Sequence, residues 1–200
     1  MAAESLLIMA GRILRSSDYQ RMPWKNGGGV TAEIWKAVGP DGAMLWRLSI
    51  ADVASDGPFS AFPGIDRWIT VIEGKGMELR IADLGTRRVE RQFEPLAFSG
   101  DVKTDCRLIN GPIRDFNFMV ARAHGRGDLQ IVALSAGETK SLDPSIAALH
   151  VLDGAVELQG TLLATGDSWV AETAAPIVVS TPRPTRLAVM TVQKIGGSGA

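Results

Sequence analysis

Thr70-Val-Ile-Glu-Gly74 and His150-Val-Leu-Asp-Gly154 are two copies of one pattern, offset by 80 residues. Past a one-residue gap the match continues, with Met77-Glu-Leu79 against Val156-Glu-Leu158. Each copy reads as an apolar, β-branched strand, a tight acidic-Gly turn and a returning strand. Glycine suits such a turn because it takes positive φ at no steric cost. Each copy is followed by a strand pair ending in an apolar strand, Asn117-Phe-Met-Val-Ala121 and Ala188-Val-Met-Thr-Val192. Two unrelated hairpins would give so short a match, but the order and spacing of the flanking strands agree as well. A duplicated all-β unit is the expectation.

Outward from the repeat, the chain is a series of short β-branched and aromatic runs punctuated by Gly, Pro and Asp. In the first half, strands are predicted at 6–14, 29–38, 44–53, 66–73, 76–82, 86–98, 104–109 and 115–122. In the second they are predicted at 128–134, 138–142, 147–153, 156–164, 168–172, 176–180 and 185–194. The polar, glycine-rich stretch His124-Gly-Arg-Gly-Asp128 marks the expected boundary, giving units over 6–123 and 127–195. The one candidate helical turn is Ser17-Asp-Tyr-Gln-Arg-Met22, with Ser17 placed to cap it and Pro23 to end it. Residues 1–5 and Gly196-Gly-Ser-Gly-Ala200 read as flexible ends.

Alternation picks out half-buried strands. Trp46, Leu48 and Ile50 share one face, and Arg47 and Ser49 the other. In Asp115-Phe-Asn-Phe-Met-Val120, the phenylalanines and Val120 oppose Asp115 and Asn117. The polar face is either merely solvated or, in a barrel, turned inward as a ligand-sized polar lining.

Composition bounds the function. The chain has 200 residues, 46% hydrophobic and 22% charged, with 21 basic and 22 acidic side chains. That balance offers no basic stripe for nucleic acid or an anionic membrane. No apolar run approaches the ~20 residues of a membrane span, and Met1 to Met9 lacks the basic start of a signal peptide. A single cysteine, Cys106, excludes an internal disulfide and points to a reduced, cytoplasmic setting.

A strand-Glu-Gly-strand hairpin followed by a Gly-Asp turn (Gly166-Asp167 in the second copy) resembles a cupin, and two copies resemble a bicupin. Lectin-like jelly rolls give similar spacings. The resemblance implies two tandem cupin-like antiparallel β-barrels of jelly-roll type, the first carrying a ligand site and the second smaller and structural. Metal-dependent cupins hold their ion through two or three histidines and a carboxylate. This chain has two histidines, His124 and His150. The first falls in the expected boundary, and the second falls in an apolar strand, where a hydrogen-bonded structural role is expected. No metal and no other cofactor is therefore expected. Cys106 reads as a small buried residue rather than a nucleophile. No Gly-x-Ser-x-Gly elbow is present, and the sole tyrosine, Tyr19, leaves little for His/Tyr epimerase chemistry. No residue is assigned a catalytic role.

Met22-Pro-Trp-Lys-Asn-Gly-Gly-Gly-Val-Thr31 stands apart. Three consecutive glycines are entropically costly and pack nothing. They suit a glycine-lined turn or bulge, a close approach of backbone, or a nest of N–H groups for an anion. In the functional reading Lys25 and Asn26 stand at a pocket mouth and meet a carboxylate. Pro23-Trp-Lys-Asn-Gly-Gly-Gly29, with Thr31 and Glu33-Ile34, resembles the hallmark of the HutD/Ves family. Trp46-Arg-Leu-Ser-Ile-Ala-Asp-Val53, Gly57-Pro-Phe-Ser60, Phe62-Pro-Gly-Ile-Asp-Arg67, Phe98-Ser-Gly-Asp101 and Asp115-Phe-Asn117 agree with it. The resemblance runs from about residue 10 to 194 and is specific in the first half. It implies a cytoplasmic bacterial bicupin linked to histidine utilisation, one that binds a small pathway metabolite, formylglutamate or urocanate, and tunes the pathway rather than catalysing a step.

The residues converge with that implication. Lys25, Arg47 and Arg67 can neutralise carboxylates, Arg through a bidentate fork. Asn26, Ser49 and Asn117 can add neutral hydrogen bonds, and Gly27 and Gly28 can add backbone N–H groups. Asp66 and Asp101 can orient the cations or receive a ligand N–H, and Trp24, Phe62 and Phe98 can form apolar walls. Against this, Asp66-Arg67 can be a surface ion pair and Asp101 can simply shape a turn. The leading expectation is a metal-independent protein that binds a small carboxylated metabolite and has a regulatory role. Two other readings stand beside it. One is a metal-free isomerase or hydrolase using Lys25 with Asp101, and the other a scaffold that pairs through an exposed sheet edge as a homodimer.

Overall fold

The computed structural model describes residues 11–195. The predicted flexible ends and residues 6–10 of the first predicted strand lie outside them. The described chain is all β apart from one 3-10 turn.

The first half contains β2 (Gln20–Pro23), β3 (Gly29–Val38), β4 (Met44–Val53), β5 (Gly57–Phe59), β6 (Ile65–Glu73), β7 (Met77–Ile81), β8 (Gly85–Val89), β9 (Leu96–Ser99), β10 (Thr104–Leu108) and β11 (Ile113–Ala121). The second contains β12 (Gly125–Leu134), β13 (Thr139–Leu142), β14 (Ile146–Asp153), β15 (Ala155–Leu158), β16 (Thr161–Ala164), β17 (Ser168–Ala171), β18 (Ile177–Ser180) and β19 (Thr185–Lys194). Ahead of both lies β1 (Gly11–Leu14).

Strand order carries the duplication. One sheet of the first half runs β2-β3-β4-β11-β6-β9, and the large sheet of the second runs β12-β19-β14-β17-β1. The core β4-β11-β6-β9 of the former repeats as β12-β19-β14-β17. The small sheets correspond too, β5-β10-β7-β8 against β13-β18-β15-β16. Each half is therefore a two-sheet jelly roll. Its sheets pack face to face and do not join into one hydrogen-bonded barrel. The two repeat hairpins turn at Gly74, with φ +97°, and Gly154, with φ +93°.

Three apolar clusters follow. One lies inside the first jelly roll around Ile69, Val71, Met77, Leu79 and Phe98. A second fills the inside of the other jelly roll with Leu149, Val151, Leu163, Trp169, Leu187 and Val189. The third glues the halves together: Trp46, Leu48, Phe116 and Phe118 of the first meet Ala148, Leu152, Ala188 and Met190 of the second. The alternating strands thus turn their apolar faces to the other half and their polar faces to their own interior.

Several local expectations differ from the structure. Ser17 to Met22 is not one helical turn: a 3-10 turn spans Ser16–Asp18, and Gln20–Pro23 is a strand paired with Glu33 to Val30. Edge pairing overrides the weak helical pattern, and Ser17 Oγ donates to Asp18 Oδ1 at 2.9 Å instead of capping. The predicted strand 86–98 is two strands, separated by a charged stretch that closes on Pro95. The run 156–164 is a hairpin turning at Gln159 and Gly160, both with positive φ, as a tight antiparallel turn requires. The first strand, assigned by sequence to the unit 6–123, pairs Gly11–Leu14 with Ala171–Ser168 in the sheet of the second half. The supposed boundary glycines are not a linker either. They begin β12, where a Cβ on Gly127 would lie 2.7 Å from Val120 Cγ2 and 2.9 Å from the Trp68 ring, so glycine lets this strand cross the first half closely.

Candidate functional site

A cavity of about 700 Å³ opens into the first jelly roll. Its wall is the interior face of three adjacent strands: Arg47, Ser49 and Ala51 on β4, Asp115, Asn117 and Met119 on β11, and Arg67 on β6. The ladder fixes these neighbours, with Asn117 opposite Ser49, and Met119 opposite both Arg47 and Arg67. The loop between β2 and β3 overhangs it with Trp24, Lys25 and Asn26, and the end of β5 with the segment after it adds Phe59, Ser60 and Phe62.

Arg67 is the most unusual side chain in it. It is only 5% exposed and has no carboxylate within ion-pair distance among the described residues. Nη2 donates to Asn117 Oδ1 at 3.2 Å and Nη1 to the Ser60 carbonyl at 3.4 Å, while Nε has no partner. Phe98, Phe62 and Phe59 surround the guanidinium at 4.9, 5.2 and 5.8 Å from their ring centroids. Such rings favour a cation, yet burial still draws the Arg67 pKa down to about 10, against the pull of Asp115. Behind it, Asn117 Nδ2 donates to Asp115 Oδ1. Asp115 is 1% exposed, its Oδ2 is unpartnered, and burial pushes its carboxyl up to about 7 despite Arg67 and Asn117.

Of the residues singled out by sequence, the cavity brings together Trp24, Lys25, Asn26, Arg47, Ser49, Phe62, Arg67 and Asn117. Arg47 is held by Glu33, Nε to Oε2 at 2.7 Å, whereas Lys25 makes no ion pair among the described residues. Phe98 supports Arg67 from the neighbouring strand. Asp66 and Asp101 are elsewhere: both pair with Arg122, and Asp101 also accepts from Ser99 Oγ at 2.7 Å. Successive strand residues face opposite ways, so Arg67 and Asp66 cannot both point inward.

Gly27 and Gly28 turn the loop without offering free amides. Gly27 N–H donates to the Trp24 carbonyl and Gly28 N–H to Asn26 Oδ1, each at 3.0 Å. Gly29 makes room for the indole, since a Cβ there would lie 3.1 Å from the Trp24 ring. The indole N–H in turn donates to Thr31 Oγ1 at 2.8 Å. The sequence list missed Asp115, Glu33 and Phe59. Asp115 shares the polar face of Asn117, and that alternation was the signal available for it.

The donor set of metal cupins does not fit. Among the described residues no three His, Cys, Asp or Glu side chains form a group able to hold a metal ion. His150 lies on the far side of the sheet, stacked on Phe116 at 4.9 Å, with Nδ1 2.8 Å from Ser168 Oγ. Burial holds its pKa down to about 4. Cys106 is buried with Sγ 3.7 Å from Met77 Sδ, and burial pushes its thiol up to about 12.

The second jelly roll has no equivalent cavity wall among the described residues. Thr70 pairs with Phe116 and, in the repeat, His150 pairs with Ala188. The positions of Asp115 and Asn117 are therefore taken by Leu187 and Val189, and Trp169 fills the space between the sheets. This register makes Phe116, not Asn117, the position equivalent to Ala188 in the repeat.

The family model for HutD matches residues 16–189. The chain belongs to the HutD family. It is 48% identical over 121 residues to an uncharacterized 21.2 kDa protein in the hutC 3' region of Pseudomonas putida, covering 60% of this chain and 63% of that protein. The match thus spans less than two thirds of that relative's length. It is 30% identical over 152 residues to protein Ves of Cronobacter sakazakii, covering 73% of this chain and 80% of Ves. The structure of HutD from Pseudomonas fluorescens SBW25, obtained in a formate condition, matches with TM-score 0.81 and 35% identity over 94% of this chain and all of that one. A bacterial pirin from Escherichia coli matches with TM-score 0.67 at 10% identity and an oxalate decarboxylase from Lactobacillus farciminis with TM-score 0.70 at 8%, likenesses of fold alone. The chain accordingly has a two-unit cupin-like fold. Among its described residues no helix is long and apolar enough to cross a membrane.

Opposing titrations are built into the two faces of this sheet, Asp115 on the cavity side and His150 against the other. Asp115, ordinarily near 3.8, is raised to about 7, so between those values the folded state holds the extra proton and acid stabilises it. His150, ordinarily near 6.5, is lowered to about 4, so over that range the unfolded state holds the extra proton and acid destabilises the fold. The two offset each other between pH 6.5 and 4. Asp115→Asn removes only the first. Its unfolding free energy from urea titration is expected to fall relative to the parent protein as pH drops through that window, by up to about 1.4 kcal/mol per pH unit. A difference that stays constant with pH would refute this.

Proposed function

We propose that this chain binds a small carboxylated metabolite in the first jelly roll, without a metal, and thereby has a regulatory role in histidine utilisation. The observation that carries the reading is Arg67: a guanidinium buried among three aromatic rings, with no carboxylate partner and with Nε unused among the described residues, beside a cavity large enough for a small molecule. A buried cation is costly unless an anion meets it, and a carboxylate supplies both charge and bidentate acceptors. Lys25 at the rim adds a second positive charge. The family, and the relative in the hutC 3' region, support the link to histidine utilisation. A Lys25/Asp101 acid–base pair finds no support, because Asp101 is bound to Arg122 outside the cavity.

Thermal-shift titration with N-formylglutamate, urocanate, formate and glutamate tests the reading. At 100-fold excess over Kd a ligand of the native state stabilises by about 2.7 kcal/mol, worth several degrees in a chain of this size. At least one of the four is expected to raise the melting temperature in a saturable way. If none does at millimolar concentration, the ligand class is wrong.

A further inference from the structure

Two charged side chains line the cavity, each with one buried atom that has no hydrogen-bond partner among the described residues, Arg67 Nε and Asp115 Oδ2, and a single amide links them. Asn117 takes a hydrogen bond from Arg67 on its oxygen and gives one to Asp115 from its nitrogen. The two charges therefore sense each other without touching. Arg67 Nε can only donate. Asp115 Oδ2 can accept when ionised, or carry the proton and donate.

A carboxylate ligand has lone pairs only. It satisfies Arg67, but against an ionised Asp115 it places two anions in one buried site, where one of them must take up a proton. We infer that the cavity binds a carboxylate together with one proton from solvent, which comes to rest on Asp115 and lets its carboxyl donate a hydrogen bond to the incoming anion beside Arg67. The inference rests on the carboxylate reading of this cavity. The proton forms an O–H bond on Asp115, and no other bond changes.

The charged and titratable groups around Asp115 are few. On β6 they are Arg67 and Glu73, on β4 Arg47 and Asp52, and on β10 Cys106; Arg114 precedes Asp115 on its own strand. Arg47 is neutralised by Glu33, and Asp52 by Arg114 and Arg21. Lys25 and Lys36 also line the cavity. From the second half, His150 meets only the opposite face of β11, through Phe116. Burial already holds Asp115 near neutrality, with Arg67 drawing it back towards ionisation, so an anion that occupies Arg67 removes that pull. The site thus favours carboxylate binding in mild acid and weakens it in mild base.

The test is a pH-stat titration of the whole protein with sodium glutarate and sodium formate, with binding followed in parallel by thermal shift. Near one proton taken up per site is expected at pH 8 and near none at pH 5.5, with Kd rising about tenfold per pH unit above 7. Asp115→Asn, whose amide mimics the protonated acid, is expected to take up no proton and to bind with a pH-independent Kd. At pH 8.5 it should bind more tightly than the parent, by about thirtyfold. If this variant does not fold, proton uptake by the parent protein decides alone. Saturable binding without proton uptake at pH 8 overturns the inference and leaves the carboxylate site standing. No saturable binding of either probe between pH 5.5 and 8.5 overturns both.

Discussion

Arg67→Met is expected to weaken carboxylate binding on the order of 100-fold while leaving the fold as stable as before, or more so. The side chain sits among Phe59, Phe62 and Phe98 and is almost fully buried, so methionine keeps the apolar packing and the length of the stem. What it removes is a cation whose desolvation is poorly compensated: one neutral amide, one long contact to a carbonyl and an empty Nε. Replacing a buried charge by a hydrophobe of similar volume is often neutral or stabilising. Binding suffers the opposite fate. Truncating one partner of a buried, hydrogen-bonded charge pair costs about 2–5 kcal/mol, and about 3 kcal/mol is already a 100-fold loss. Arg67→Lys should fall between, because an ammonium cannot offer a planar fork. Ligand titration and thermal melting of the same preparations read both quantities. Undiminished carboxylate binding by the methionine variant would remove Arg67 from the site. A collapse in melting temperature would show that the cation holds the fold.

How much of this was legible beforehand depends on which interaction decided each feature. The duplication was visible because a positive-φ turn leaves a glycine in the sequence, twice. The cavity wall was visible in 46–51 and 115–120, because a strand with period two writes both its faces into the chain. Choosing between neighbours was harder. Asp66 and Arg67 are equally polar, and only the register with Phe98 and Met119 turns Arg67 inward and leaves Asp66 to Arg122. Asp101 went astray for a similar reason, its partners Arg122 and the Gly64 amide being distant in sequence. The glycine run pointed to a loop that does border the cavity, but not through its amides. Its amides serve the turn, and its contribution to the cavity is to carry Trp24, Lys25 and Asn26 over the rim. The first strand could not have been placed locally, since Gly11 is fixed by the Trp169 ring and the Val170 carbonyl of the other half.

The glycine of the second repeat hairpin carries the largest expected effect on stability. Gly154 holds φ at +93°, and a Cβ there would fall against the Pro184 carbonyl oxygen and 2.5 Å from Thr185 Oγ1. Neither neighbour can yield. Thr185 Oγ1 is committed to the backbone at Ala155 and to the Arg183 carbonyl, and the 154 carbonyl itself accepts from Thr165 Oγ1 and Arg183. Gly154→Ala therefore combines a backbone conformation that an L side chain resists with a clash against main chain, together about 3 kcal/mol or more. In a chain of this length that corresponds to a fall in melting temperature of roughly 6–12 °C. Gly74→Ala should behave alike, for its Cβ would lie 2.7 Å from the Pro112 carbonyl oxygen in the first copy. The control is Gly160→Ala, which also has positive φ, +75°, but meets nothing within 4 Å. It bears the conformational term alone, about 1 kcal/mol. If all three variants melt together, the close approach at the repeat turns is not what demands glycine, and the recurrence of that residue 80 positions apart reflects backbone angle only.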